Sequence, residues 1–138
     1  MSPAIFKRRG GPRLRLEQSL GAFPAGDGNI SPLYVLFGLS NTGESVAVAE
    51  EVYLRAGRDT TLDLTGELGG DNGGPPREIP PGEAATLWLR AKDLAGKLRE
   101  AGHAGTPKLR LLVVDAGGGE HTTTFKLRVD EYLQLKDE

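Results

Sequence analysis

The chain offers few side chains able to do chemistry, and their spacing is unfavourable. It has no cysteine, and its only histidines are His103 and His121. They form no i, i+4 pair, so a zinc site would have to gather carboxylates from distant loops. Ser19, Ser31, Ser40 or Ser45 could each be written into a triad with either histidine, yet none sits in a Gly-x-Ser-x-Gly elbow. Glu50 and Glu51 are neighbours on one predicted strand, where successive side chains face opposite ways, so they cannot flank a glycosidic bond across a cleft. Gly26-Asp27-Gly28-Asn29 and Asp71-Asn72-Gly73-Gly74 carry the oxygen ligands that calcium prefers, but neither follows the twelve-residue calcium loop. Both read as Asx-type turns. Gly117-Gly118-Gly119 lies between two predicted antiparallel strands and presents no helix N-terminus to a phosphate, so it reads as a hairpin turn. This inventory assigns no catalytic, cofactor or metal residue, and the expectation is a protein that is not an enzyme.

Composition sets the frame around those residues. The 138 residues allow one domain, and 38% apolar with 26% charged residues and a formal net charge of −2 describe a globular chain. Without cysteine, stability must come from packing alone. Lys7, Arg8, Arg9, Arg13 and Arg15 crowd the beginning, whereas Asp130, Glu131, Asp137 and Glu138 crowd the end. The reading is a basic arm over residues 1–12, a domain over 13–130 and an acidic tail over 131–138. A pI near 5.7 argues against a nucleic-acid partner. No apolar run follows the basic start as a signal peptide requires, and none approaches the length of a membrane span, so no membrane insertion is expected and the default location is the cytoplasm.

Seven stretches read as strands. Leu14 and Leu16 alternate with Arg13, Arg15 and Glu17. Leu33, Val35, Phe37 and Leu39 make a central strand, and Asn41-Thr42-Gly43, whose Asn and Gly tolerate positive φ, turns it as a hairpin into Val46, Val48, Val52 and Leu54. Glu50 falls on the apolar register of that third strand, which predicts a bulge or a strand end near Glu50-Glu51. Thr60 to Thr65 is short. Residues 66–82 are so rich in glycine and proline that they read as a loop. Ala84 to Ala91 follows, then a two-turn helix capped by Asp93 and stopped at Gly102, with Leu94 and Leu98 on one face. Leu109 to Asp115 and Thr124 to Val129 complete the set.

Seven short strands with brief turns and one short helix predict an all-β, seven-stranded antiparallel sandwich, the helix lying in the connection between the fifth and sixth strands. In an immunoglobulin-like or fibronectin type III-like arrangement of such a sandwich, the first, second and fifth strands would form one sheet and the third, sixth and seventh the other, with the fourth at an edge. The Asn41-Thr42-Gly43 turn, the Pro80-Pro81-Gly82 lead into a strand, the helix Asp93 to Ala101 before Leu109 to Asp115, and the glycine turn before Phe125 come in an order that resembles uncharacterised bacterial immunoglobulin-like domains of fibronectin type III flavour, over residues 13–130. The paired cysteines of antibody domains, their tryptophan in the third strand and their tyrosine at the start of the sixth are lacking. The resemblance implies a scaffold whose faces or loops bind other molecules.

That leaves the surface. If the second strand pairs with the fifth, Tyr34, Leu36 and Trp88 share an outward face beside Arg13 and Arg15, while on the other sheet Leu112 and Val114 face outward beside Ala47 and Ala49. Either these faces contact something, or the helix around Leu94 and Leu98 or the arm with Ile5 and Phe6 covers one of them. The expected function is a non-enzymatic protein-interaction or assembly module, through a protein partner or self-association. The alternative is a calcium- or carbohydrate-binding accessory domain using the two glycine-rich loops or Trp88.

Overall fold

The computed structural model describes residues 11–22 and 32–135. The arm residues Lys7, Arg8 and Arg9, the covering role of Ile5 and Phe6, the loop Gly26 to Asn29 and the terminal Asp137 and Glu138 lie outside the described residues. Nine strands are present among the described residues: β1 (Leu14–Gly21), β2 (Tyr34–Asn41), β3 (Ala47–Ala56), β4 (Thr60–Asp63), β5 (Gly69–Gly70), β6 (Arg77–Ile79), β7 (Ala84–Arg90), β8 (Lys108–Asp115) and β9 (Glu120–Lys126). Two helices, α1 (Ala91–Glu100) and α2 (Val129–Leu133), and a 3-10 turn at Thr65–Glu67 complete the described chain. The strands form two sheets, ordered β1-β2-β7-β5 and β4-β3-β8-β9, with β6 pairing the start of β3. No helix among the described residues is long and apolar enough to cross a membrane.

Alternation of side chains builds the core. Val35, Phe37 and Leu39 of β2, Ala85, Leu87 and Leu89 of β7, Val52, Leu54 and Ala56 of β3 and Leu109, Leu111 and Val113 of β8 are all buried between the sheets. Phe37 meets Phe125 of the facing sheet edge-on, ring centroids 5.8 Å apart. The division of strands between sheets follows the expected one: β1, β2 and β7 against β3, β8 and β9, with β4 at an edge.

Several expectations need correction. The strand count is nine because β5 and β6 arise within the stretch 66–82. An edge strand needs ladder hydrogen bonds on one side only, so pieces of two and three residues survive there among glycines and prolines. The turn after Asn41 makes no hairpin: β2 and β3 lie in different sheets, and the turn is an arch between them. Positive φ plays no part in it, since Gly43 is not in the left-handed region and no described non-glycine residue is either.

The bulge at Glu50-Glu51 is present. Ala49 pairs with Asp115 and Glu51 with Val114, leaving one extra residue on β3. That residue inverts the face on which the strand begins, so Ala47 and Ala49, expected outside, are fully buried, while Val46 is exposed. Glu50 and Glu51 are both exposed. The helix also differs. Since α1 leaves β7 directly at Ala91, Asp93 sits in its first turn, where the dipole favours a carboxylate, and caps nothing. Ala91, Leu94, Ala95 and Leu98 join the core shared by both sheets. The seventh strand ends at Lys126, and α2 follows across residue 130, burying Val129 and Tyr132. Its Asp130 bonds Arg99 of α1 at 2.7 Å and accepts from the Gly105 amide at 3.0 Å.

Asn41, 1% exposed, ties these parts together. Its Nδ2 donates to the carbonyls of Ser45 (2.8 Å) and Ile79 (2.9 Å), and its Oδ1 accepts from the amides of Gly43 (2.9 Å) and Arg13 (3.4 Å). Its backbone N–H donates to the Glu83 carbonyl, and its own carbonyl accepts from Gly82. Asn41→Ala strands those buried groups and should cost about 3 kcal/mol in chemical denaturation. Asn41→Asp should also destabilise, because a carboxylate cannot donate to two carbonyls; stability equal to wild type in either variant would contradict this account. Phe37→Ala should lose about 3 to 5 kcal/mol.

Candidate interaction surface

Of the expected surface residues, three come together. On the outer face of the β1-β2-β7-β5 sheet, Leu36 of β2 stands directly opposite Trp88 of β7, and Tyr34, two residues along, opposite Arg90. Tyr34, Leu36 and Trp88 are all half-buried. Neighbouring glycines account for part of that burial. The Trp88 indole lies across Gly69 on the edge strand β5, where a Cβ would come within 2.5 Å of Nε1, and Leu36 lies over Gly21 of β1, where a Cβ would sit 2.8 Å from Cδ1. Large side chains laid over cross-strand glycines replace the contacts that the glycines lack.

The two arginines stand elsewhere. Arg15 pairs with Ser40 whereas Leu36 pairs with Ser19, so Arg15 lies four residues along the strand, about 13 Å away, and Arg13 is farther still. Both are exposed, and Arg15 makes a loose ion pair with Glu17 at 3.8 Å. They share the face but do not rim the Tyr34, Leu36 and Trp88 group.

Of the polar groups singled out in the sequence, Asp71, His103 and His121 have internal partners. Asp71 bonds Arg77 at 2.7 Å and accepts the Thr86 amide at 3.3 Å. Among the described residues no group of three or more His, Cys, Asp or Glu is placed to hold a metal ion. His103 Nε2 lies 2.9 Å from the Thr60 hydroxyl. His121 Nδ1 accepts the Leu14 amide at 3.3 Å, which places the ring proton on Nε2, 2.7 Å from Asp115 Oδ2. Both nitrogens are therefore engaged in holding the β1 edge to the β8–β9 hairpin, and neither is left to activate a nucleophile.

Asp115 was not identified from sequence. It is 4% exposed, and its Oδ1 accepts the amides of Gly117 and Gly119, both at 2.9 Å. The glycine turn thus cradles an anion after all, and the anion is the protein's own carboxylate. A Cβ on Gly119 would sit 2.6 Å from Oδ2, which explains why the turn needs glycine at that position. The signal available in the sequence was an aspartate two residues before a glycine run.

No family model and no curated protein matches the chain. Among solved structures it is similar to the Northeast Structural Genomics Consortium target SoR45, at 14% identity and a TM-score of 0.43, over 91% of this chain and 93% of that one. It is also similar to the archaellum periplasmic stator protein FlaG from Sulfolobus acidocaldarius, again at 14% identity and a TM-score of 0.43, over 82% of this chain and all of that one.

Burial pushes the Asp115 carboxyl up, but hydrogen bonds from His121, Gly119 and Gly117 outweigh it and leave the group below the usual carboxylate range. A carboxyl depressed in the fold contributes stability that is present above its unfolded pKa, about 4, and is lost as pH falls through the folded value. Denaturation at neutral and acidic pH should therefore show Asp115→Asn costing about 1.5 to 3 kcal/mol at neutral pH. The gap to wild type should narrow in acid, and a gap that stayed constant would show that the carboxylate's charge is not what the turn holds.

Proposed function

We propose that this chain is a non-enzymatic protein-interaction or assembly module built on an immunoglobulin-like sandwich, with the outer face of the β1-β2-β7-β5 sheet as its contact surface. The observation that carries this reading is the register that sets Leu36 directly against Trp88 with Tyr34 in the adjoining row, an apolar and aromatic group on the outward side of a sheet. Tryptophan and tyrosine are the side chains most often found as anchors at the centre of interfaces, because they bury a large area while freezing few torsions. Shape supports it as well. Gly38 lies between the rows of Leu36 and Ser40, with Glu17 opposite, so the apolar group ends in a low, polar margin.

The test is association in solution. Sedimentation velocity of the wild type should show a concentration-dependent dimer, or immobilised protein should retain a specific partner. Trp88→Ala combined with Leu36→Ser should weaken that association at least about tenfold, as expected for loss of anchor residues. Far-ultraviolet circular dichroism should stay unchanged. A variant that unfolds would place Trp88 among the residues that hold the sheet edge and remove the contact surface; undiminished association in a folded variant would also overturn the reading.

A further inference from the structure

The outer face of the second sheet carries a different chemistry. Arg55 of β3 stands directly opposite Arg110 of β8, and Lys108 of β8 directly opposite Lys126 of β9. Arg58 joins them from the β3–β4 turn, and with Arg55, Lys108 and Arg110 it lines an open concavity of about 660 Å³ that Thr60, Thr61 and Thr124 also line. All five cations are exposed, and none takes part in the ion pairs of the described residues. Like charges set directly across a ladder are destabilising. Two such pairs in adjoining rows, without a carboxylate among them, serve the fold poorly and suit an anion well.

The surroundings limit what that anion can be. In the next rows of the same face, Asp63 pairs with Tyr53, and Glu51 and Glu120 both pair with Val114. Tyr53 donates to Glu51 at 2.7 Å. Carboxylates thus fence the basic end, and an extended polyanion lying along the strands would run into them. Opposite residues stand about 5 Å apart and successive outward rows about 7 Å apart, so the four strand cations occupy one compact grid. The guanidinium forks of Arg55 and Arg110 match oxyanions through paired N–H donors, and the volume falls within the range of small-ligand sites. Thr60, which also lines the concavity, is bonded to His103 at 2.9 Å. We infer that this concavity binds a small, multiply charged phosphate compound, with two or more phosphoryl groups in one short molecule, through the Arg55, Arg58, Lys108 and Arg110 that line it, with Lys126 adding charge from beside Lys108. It is independent of the contact surface on the opposite sheet.

The probe is inorganic tripolyphosphate, titrated calorimetrically into the full chain at low ionic strength. Saturable one-site binding is expected, weakened at least about tenfold in Arg55→Gln/Arg110→Gln through loss of charge-assisted hydrogen bonds, and unchanged in Arg8→Gln/Arg9→Gln, which removes charge from the arm instead. In wild-type protein the amide resonances of Thr61 and Thr124 should move on titration, a readout that does not depend on any variant folding. The inference is overturned by absence of binding, by unmoved Thr61 and Thr124 resonances, or by loss of binding in the arm variant alone. Tighter binding of a single-stranded oligonucleotide or a poly-glutamate peptide than of tripolyphosphate would equally overturn it, since the carboxylate fence is what selects a short ligand.

Discussion

A sandwich without disulfides must hold its two sheets in register by packing and by whatever polar groups it buries at the places where the chain crosses between them. Asn41 occupies such a crossing. It ends β2 in one sheet, and its side chain reaches the carbonyl of Ile79 on β6 in the other, the arch toward β3 and the entry to β1. An amide can do this because it donates and accepts at once; a hydroxyl has too few donors and a carboxylate has none. The depth of the site magnifies the effect, because each group left unpaired in a dry environment costs more than a made bond contributes. The positions of β6, the β6–β7 turn and the start of β1 all depend on this residue.

A second buried polar group works in the same way at another corner. Asp115 closes the β8–β9 turn on itself and positions His121, which in turn holds the amide of Leu14 across the open edge between β9 and β1. Glycines that look like loop filler in the sequence are here the space into which a carboxylate or an indole fits. Their cost in chain entropy is offset by close approach that no residue with a Cβ would allow.

With the core and the corners settled, the two outer faces are free to differ, and they do. One is apolar and aromatic at the end where Tyr34, Leu36 and Trp88 lie, while the other divides into a basic end and an acidic fence. Neither face is dictated by the fold, since outward positions of a strand accept almost any residue that respects the pleat. Their contrast is therefore not a requirement of the packing between the sheets.

The periodicity of two was enough to find β1, β2, β7, β8 and the end of β9, because burial on one face imposes alternation on the sequence itself. It was also enough to expect a bulge or a strand end, since Glu50 interrupts the apolar register of β3, and the pairing shows the bulge. It did not give the side to which each half of that strand turns: only the pairing of Ala49 with Asp115 and Glu51 with Val114 decides that Ala47 and Ala49 go inward. Pairs across strands were legible where a single pairing sufficed, as for Leu36 and Trp88. The distance from them to Arg13 and Arg15 was not, because it depends on how far β1 slides along β2. The edge strands β5 and β6, the roles of Asn41 and Asp115, and the meeting of Arg55 with Arg110 all join residues far apart in the chain. Local propensity and spacing carry no information about such meetings; the tertiary register alone sets them.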